Sequence, residues 1–187
     1  MALQDAILTA LSDTESSGYD LAKAFDITVA NYWTAAPQQL YRELGRMEDD
    51  GLVRARVVAQ SGRPDKRIFR LTAAGRKALR EFTLREPKPL AVRDEMLAQV
   101  AALESGDPES IRAHVAERLT AFEDKLAVYL LVQERTLAGR TEEEFLAAGE
   151  RIGPYLTLLR GISFEEENIR WARTVLGVLG ARAGDGR

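Results

Sequence analysis

The sequence contains no cysteine. That absence excludes a disulfide framework, thiolate zinc sites and a cysteine nucleophile together. Histidine is almost as scarce, because His114 is the one imidazole in 187 residues. A lone histidine between Arg112 and Val115 on a helix is expected at the surface rather than as a general base. Apolar stretches are short: Leu126–Val132, one of the longest, falls far below the roughly 18–20 residues of a membrane span. The opening Met1-Ala2-Leu3-Gln4-Asp5 has no basic region of the kind that begins a secretory leader. A glycine-rich phosphate loop is missing as well. The acidic runs Glu142–Glu144 and Glu165–Glu167 have no histidine at ligand spacing, so they are expected as solvated helix starts rather than metal sites. What remains is a chain with 45% hydrophobic and 29% charged residues, the composition of a soluble folded protein. It is expected in the cytoplasm, with no catalytic residue, no metal, no cofactor and no membrane partner.

Negative charge is in slight excess, with a formal net charge of -3. The distribution is far less even than the total. Arg54 to Arg85 holds ten basic residues against Asp65 and Glu81, so the rest of the chain is strongly acidic. A basic stretch inside an acidic protein points to an anionic partner met by one surface.

Leu3, Ile7, Leu8 and Leu11 form one face of a short amphipathic helix. Ser17 followed by Asp20 reads as a cap for a second helix to about Phe25, burying Leu21 and Phe25. After a loop with Tyr32 and Trp33, Pro37 opens a third helix carrying Leu40, Leu44 and Met47, and Gly51 supplies its left-handed stop. The period then changes to two. Val53, Ala55, Val57 and Ala59 alternate with polar neighbours, Ser61–Asp65 is a turn, and Lys66–Leu71 is a second strand. Thr72 caps a further helix that ends before Glu86-Pro87-Lys88-Pro89. The proline pair marks the expected domain boundary near 87–89, between a unit at 1–86 and one at 90–187.

Everything beyond the prolines reads as helix. A first segment covers about 90–103, Asp107-Pro108 starts a long helix to about Leu137, Thr141 and Glu144 cap a short one, and Gly153-Pro154 begins the last, to about Gly180. On the long helix Ile111, Val115, Leu119, Phe122, Leu126, Tyr129 and Gln133 make a seam close to the 3.5-residue period. The last helix has two apolar stripes, through Leu158, Ile162, Ile169 and Leu176 and through Phe164, Trp171, Val175 and Val178. One stripe is expected to pack within the subunit and the other on a second copy. Phe122, Leu126, Tyr129, Phe164, Trp171, Val175 and Val178 are therefore the candidate dimer residues.

Three helices, a two-stranded hairpin and a closing helix make a winged helix-turn-helix, so the expected fold is mainly α: a winged helix with a two-stranded β wing, plus an all-α C-terminal dimerisation domain. The N-terminal half of the third helix carries Gln38, Gln39, Tyr41 and Arg42, with Arg46 further along, while its end, Glu48-Asp49-Asp50, is acidic and would repel phosphate. Amides suit adenine, a guanidinium suits guanine, and Gly45 permits close approach. Arg63, Lys66 and Arg67 give the wing a cationic tip for phosphates.

Gly18-Tyr19-Asp20-Leu21, Gln39-Leu40-Tyr41-Arg42-Glu43-Leu44, Met47–Val53 and Gly62–Gly75 together resemble the conserved blocks of PadR-type transcriptional regulators over about residues 3–85. Gly161–Glu165 with Trp171 is similar to the last helix of the longer branch of that family. The resemblance adds Tyr19 to the DNA-facing set. It implies a dimeric repressor of a pseudo-palindromic operator in double-stranded DNA, held together by its C-terminal helices, with a small aromatic effector in some members. Ile68-Phe69 replaces an aromatic pair common in the family, and Pro37-Gln38-Gln39 replaces a Pro-Gly or Pro-Ser opening. The competing reading is a winged-helix protein–protein interaction module without DNA binding, which has no need of three wing cations.

Overall fold

Short capping motifs set most of the helix boundaries. The computed structural model describes residues 3–27, 33, 35–59, 62, 65–89, 93–149 and 151–185. The chain divides into two compact units, Met1–Pro89 and Leu90–Arg187.

In the first unit α1 (Leu3–Ala10) buries Ala6, Ile7 and Leu8. It is followed by β1 (Ser16–Ser17) and α2 (Gly18–Ile27). The Ser17 hydroxyl accepts from the Asp20 N–H at 3.1 Å and donates to the Asp20 carboxylate at 2.8 Å, which closes the start of α2 as the spacing predicts. The expected loop residue Tyr32 lies outside the described residues. Pro37 opens α3 (Pro37–Asp49), whose buried stripe is Leu40, Leu44 and Met47. Gly51, at φ +71°, turns the chain from α3 into the sheet.

β2 (Val53–Val58) and β3 (Lys66–Leu71) pair antiparallel from Val53↔Leu71 to Val58↔Lys66. Alternation buries Val53, Phe69 and Leu71 and exposes Arg54, Arg56 and Arg70. The sheet also has a third strand that periodicity does not predict: β1 pairs with β3, giving the order β1-β3-β2. Two adjacent serines carry no alternation to read.

α4 (Ala73–Thr83) is fixed at its first turn. The Thr72 hydroxyl accepts from the Gly75 N–H at 3.0 Å and donates to the Gly51 carbonyl at 2.7 Å, and the Thr72 N–H donates to the Leu52 carbonyl at 3.0 Å. Residues from α1, α2, α3 and the sheet share one apolar core. Truncating a residue such as Leu44, 1% exposed within it, should cost about 2–5 kcal/mol.

The second unit contains α5 (Glu95–Ala101), α6 (Pro108–Leu137), α7 (Glu142–Ala148) and α8 (Ile152–Asp185). α5 is shorter than the expected 90–103 segment, because Asp94 caps it and Ala102 ends it. α8 is longer than expected and continues past Gly180, a small cost for a helix held by packing. α6 and α8 run antiparallel: Ile111 and Val115 cluster with Ala172 and Leu179, and Tyr129 clusters with Tyr155, Leu158 and Ile162.

This packing corrects the reading of the α6 seam. Ile111, Val115 and Tyr129 lie in the unit's own core, so Tyr129, 1% exposed, has no surface to offer a second copy. Phe122, Trp171 and Val175 pack partly buried on one cluster, and Leu126 on the other. Phe164 and Val178 are each 48% exposed, as a surface stripe requires. Exposed Val128, Leu130 and Leu131 add apolar surface on α6 that the seam count does not include.

A second correction concerns Glu165. It is not solvated but 1% exposed in the middle of α8, paired with Lys125 of α6 at 2.7 Å and accepting from Asn168 at 3.1 Å. Burial disfavours the charged ammonium of Lys125, yet the adjoining Glu165 carboxylate outweighs it and holds Lys125 above the ordinary lysine range.

Candidate nucleic-acid interface

Opposite the buried stripe of α3, Gln38, Gln39, Tyr41, Arg42 and Arg46 are all exposed. The spacing therefore separates the two faces of this helix correctly. Among the described residues no acid lies within ion-pair distance of Arg42, whereas Arg46 leans toward Asp50 at 3.8 Å. Gln39 has a second role that its exposure alone hides. Its side-chain carbonyl accepts the Ala36 N–H at 3.2 Å, satisfying a free donor at the helix start. Ala36 has no side-chain acceptor to return, so Gln39 acts alone, and both of its amide N–H donors stay available to a ligand.

The Tyr41 ring lies over Gly18 at the start of α2. A Cβ at Gly18 would stand 2.5 Å from Tyr41 Cε1 and 2.9 Å from Cδ1, so the missing side chain is what lets the ring settle there. Gly45, one turn on from Tyr41, has nothing within 4 Å of its Cβ direction. The result is a groove of about 570 Å³ lined by Ser17, Gly18, Tyr19, Tyr41, Gly45 and the wing residues Asp65, Lys66 and Arg67. Tyr19 stands at this groove 70% exposed. Six of the nine expected DNA-facing residues, Tyr19, Gln38, Gln39, Tyr41, Arg42 and Arg46, thus lie on α2 and α3, and Lys66 and Arg67 lie on β3. Arg63 falls outside the described residues.

The two described wing cations are not free. Lys66 Nζ meets the Asp20 carboxylate at 2.8 Å. Hydrogen bonds from Lys66 and then Ser17 hold the Asp20 carboxyl below the usual carboxylate range. Arg67 pairs with Glu48 and lies over the Phe69 ring, 5.2 Å from its centroid. The second oxygen of Glu48 accepts the Ala55 N–H of the edge strand β2 at 3.2 Å. Asp20 and Glu48 are ion-pair partners that sequence reasoning did not assign to the wing. Asp20 reads as a cap and Glu48 as a repulsive helix end, and no short-range signal links either to residues 19 or 46 positions away.

The remaining cations of the basic segment sit elsewhere. Arg56 and Arg70 flank Glu15 at 3.1 and 3.7 Å, so part of the positive charge of the segment is engaged away from the groove. His114 is exposed, with its ring beside Gln99 Oε1 at 3.1 Å. Among the described residues there is no cluster of three or more histidine, aspartate or glutamate residues placed to hold a metal ion. Nor is any helix among them long and apolar enough to cross a membrane.

Comparison with known proteins adds a family to this geometry. Residues 7–81 match the model of the transcriptional regulator PadR-like family, and residues 92–180 match that of the virulence activator alpha C-terminal region. "Probable transcriptional regulator Rv1176c" of Mycobacterium tuberculosis is 33% identical, over 96% of this chain and 98% of its own length. The negative transcriptional regulator PadR of Bacillus subtilis is 25% identical over 95% of this chain and 97% of its own. Its complex with operator DNA superposes with a TM-score of 0.75 at 25% identity, covering 95% and 97% of the two chains. Its complex with p-coumaric acid gives 0.67 at 24%, covering 95% and 98%. The Vibrio cholerae virulence activator AphA gives 0.68 at 30%, covering 97% and 99%.

Proposed function

This chain belongs to the PadR-like family of transcriptional regulators, and from that premise we propose that it is a dimeric, sequence-specific DNA-binding repressor acting in the cytoplasm. The observation that carries the reading is the face of α3. Gln38, Tyr41 and Arg42 are exposed together on the N-terminal half of a helix whose opposite face is anchored in the core, and Gly45 keeps the approach open. Inserted into a major groove, that half presents Arg42 to a guanine edge and Gln38 to adenine, while Tyr41 and Tyr19 reach the backbone from either side of Gly18. Phosphate also favours this end, because the helix dipole is positive here and Glu48, Asp49 and Asp50 lie at the other.

The C-terminal unit supplies the second copy. Phe164, Val178, Leu130 and Leu131 remain as exposed apolar surface after α6 and α8 have covered one another, and burying them against a twin removes that surface from water. A small aromatic effector, the class to which the p-coumaric acid of the Bacillus subtilis protein belongs, would release the operator by favouring a spacing of the two α3 helices that no longer fits it. No catalytic step is assigned to the chain.

Fluorescence anisotropy on operator and unrelated duplexes tests the reading. Arg42→Ala should weaken operator binding by about 1–3 kcal/mol and leave unrelated DNA nearly unaffected. Equal binding of both DNAs by wild-type protein would contradict it. No binding at low salt would favour the interaction module instead.

A further inference from the structure

We propose that Asp20 sets the affinity for DNA by holding Lys66 in a latch that nucleic acid must open, whereas Glu48 holds Arg67 in a brace that stays closed. The inference rests on the DNA-binding reading above and concerns what each wing cation does within it.

The two ion pairs look alike in charge and differ in construction. Glu48 is held twice, by Arg67 and by the Ala55 N–H, and Arg67 is held twice, by Glu48 and by the Phe69 ring. Moving Arg67 to a phosphate would strip a carboxylate of its partner at the acidic end of α3, beside Asp49 and Asp50, where phosphate is repelled. Among the described residues Lys66 has one ion-pair partner, Asp20, and that partner is on the groove. Ser17 keeps the Asp20 carboxylate satisfied when the lysine leaves, through the 2.8 Å hydroxyl bond and the first turn of α2. Lys66 is a flexible point charge that can swing from carboxylate to phosphate without losing a planar contact. DNA therefore gains a phosphate contact from Lys66 only by breaking its pair with Asp20, and it meets an uncovered carboxylate in the groove. Both effects lower affinity.

Neutralising Asp20 should then tighten binding, which is the reverse of what loss of a structural contact does. Asp20→Asn keeps the hydrogen bond to Ser17 and removes the charge. It should raise affinity for operator and unrelated duplex alike by about two- to fivefold, the worth of an exposed pair. The gain should shrink in a Lys66→Ala background, where only the repulsion between the Asp20 carboxylate and phosphate is left to relieve. Glu48→Gln should act oppositely and weaken binding, because it loosens the brace. Anisotropy at fixed salt on wild type, the three single variants and the Asp20→Asn/Lys66→Ala double variant reads all of these. Unchanged or weaker binding by Asp20→Asn would overturn the latch, as would a gain of the same size without Lys66. Tighter binding by Glu48→Gln would overturn the distinction between the pairs. If wild-type protein binds no DNA, it is the DNA-binding reading that fails, and the latch fails with it.

Discussion

Gly18 and Gly75 are both glycines for lack of room, yet what crowds each of them differs. At Gly18 a Cβ would meet the Tyr41 ring, which can rotate away. Gly18→Ala should therefore keep the fold and reduce DNA affinity about as much as Tyr41→Ala does. Binding and thermal melting measured together check this, and a large loss of Tm with intact binding would contradict it. At Gly75 a Cβ would stand 2.1 Å from the Leu52 carbonyl oxygen, a backbone atom that cannot swing aside. Gly75→Ala should destabilise the first unit by about 1–3 kcal/mol or more, read by urea unfolding. The motif blocks identify both glycines, but the atoms that demand them come from α3 and from the turn after it, brought close only by the fold. Asp20 gives a pH prediction at the same scale. Its carboxyl is depressed in the folded chain, first by Lys66 and then by Ser17. Its contribution to stability is thus present above the unfolded carboxylate range, about pH 4, and lost as pH falls through the lower folded value. Acid titration of Asp20→Asn should show a smaller loss of stability below about pH 4 than wild type.

Helix starts are legible in the sequence because the chemistry that caps them is local. Ser17, Thr72, Asp107 and Thr141 all accept the backbone N–H three residues on, as their spacing predicts. β1 is not legible, since two serines owe their strand geometry entirely to β3. Nor is the pairing of α6 with α8 across Lys125 and Glu165, which a run of three glutamates disguises as a solvated patch. That pair makes a prediction about the two helices as a unit. Lys125→Met leaves the buried Glu165 uncompensated apart from Asn168, and it should destabilise the C-terminal unit by about 3 kcal/mol. Lys125→Met/Glu165→Leu should recover most of the loss, because neither charge is then buried alone. Trp171 fluorescence during urea unfolding, in a Trp33→Phe background, reports the unit concerned.

Taken whole, the chain shows why a charge count locates a binding surface only roughly. Alternation along β2 and β3 sends Arg54, Arg56 and Arg70 to one side of the sheet, and intramolecular acids engage both described wing cations. The apolar count misleads in the same way in the second unit, where most of the α6 seam is spent on α8. In the proposed dimer, the surface left for a twin is smaller, made of the exposed Phe164, Val178 and the exposed α6 leucines. Phe164→Glu should yield a folded monomer, whereas Trp171→Glu should disturb the unit's own core; sedimentation and circular dichroism separate the two. The most direct test of dimeric, sequence-specific recognition is selection of bound duplexes from a random DNA pool by the full-length protein. A two-fold regulator should enrich a pseudo-palindrome whose half-sites lie about one helical turn, roughly 10–10.5 base pairs, apart. A pool that stays random, or that yields one isolated half-site, would contradict it.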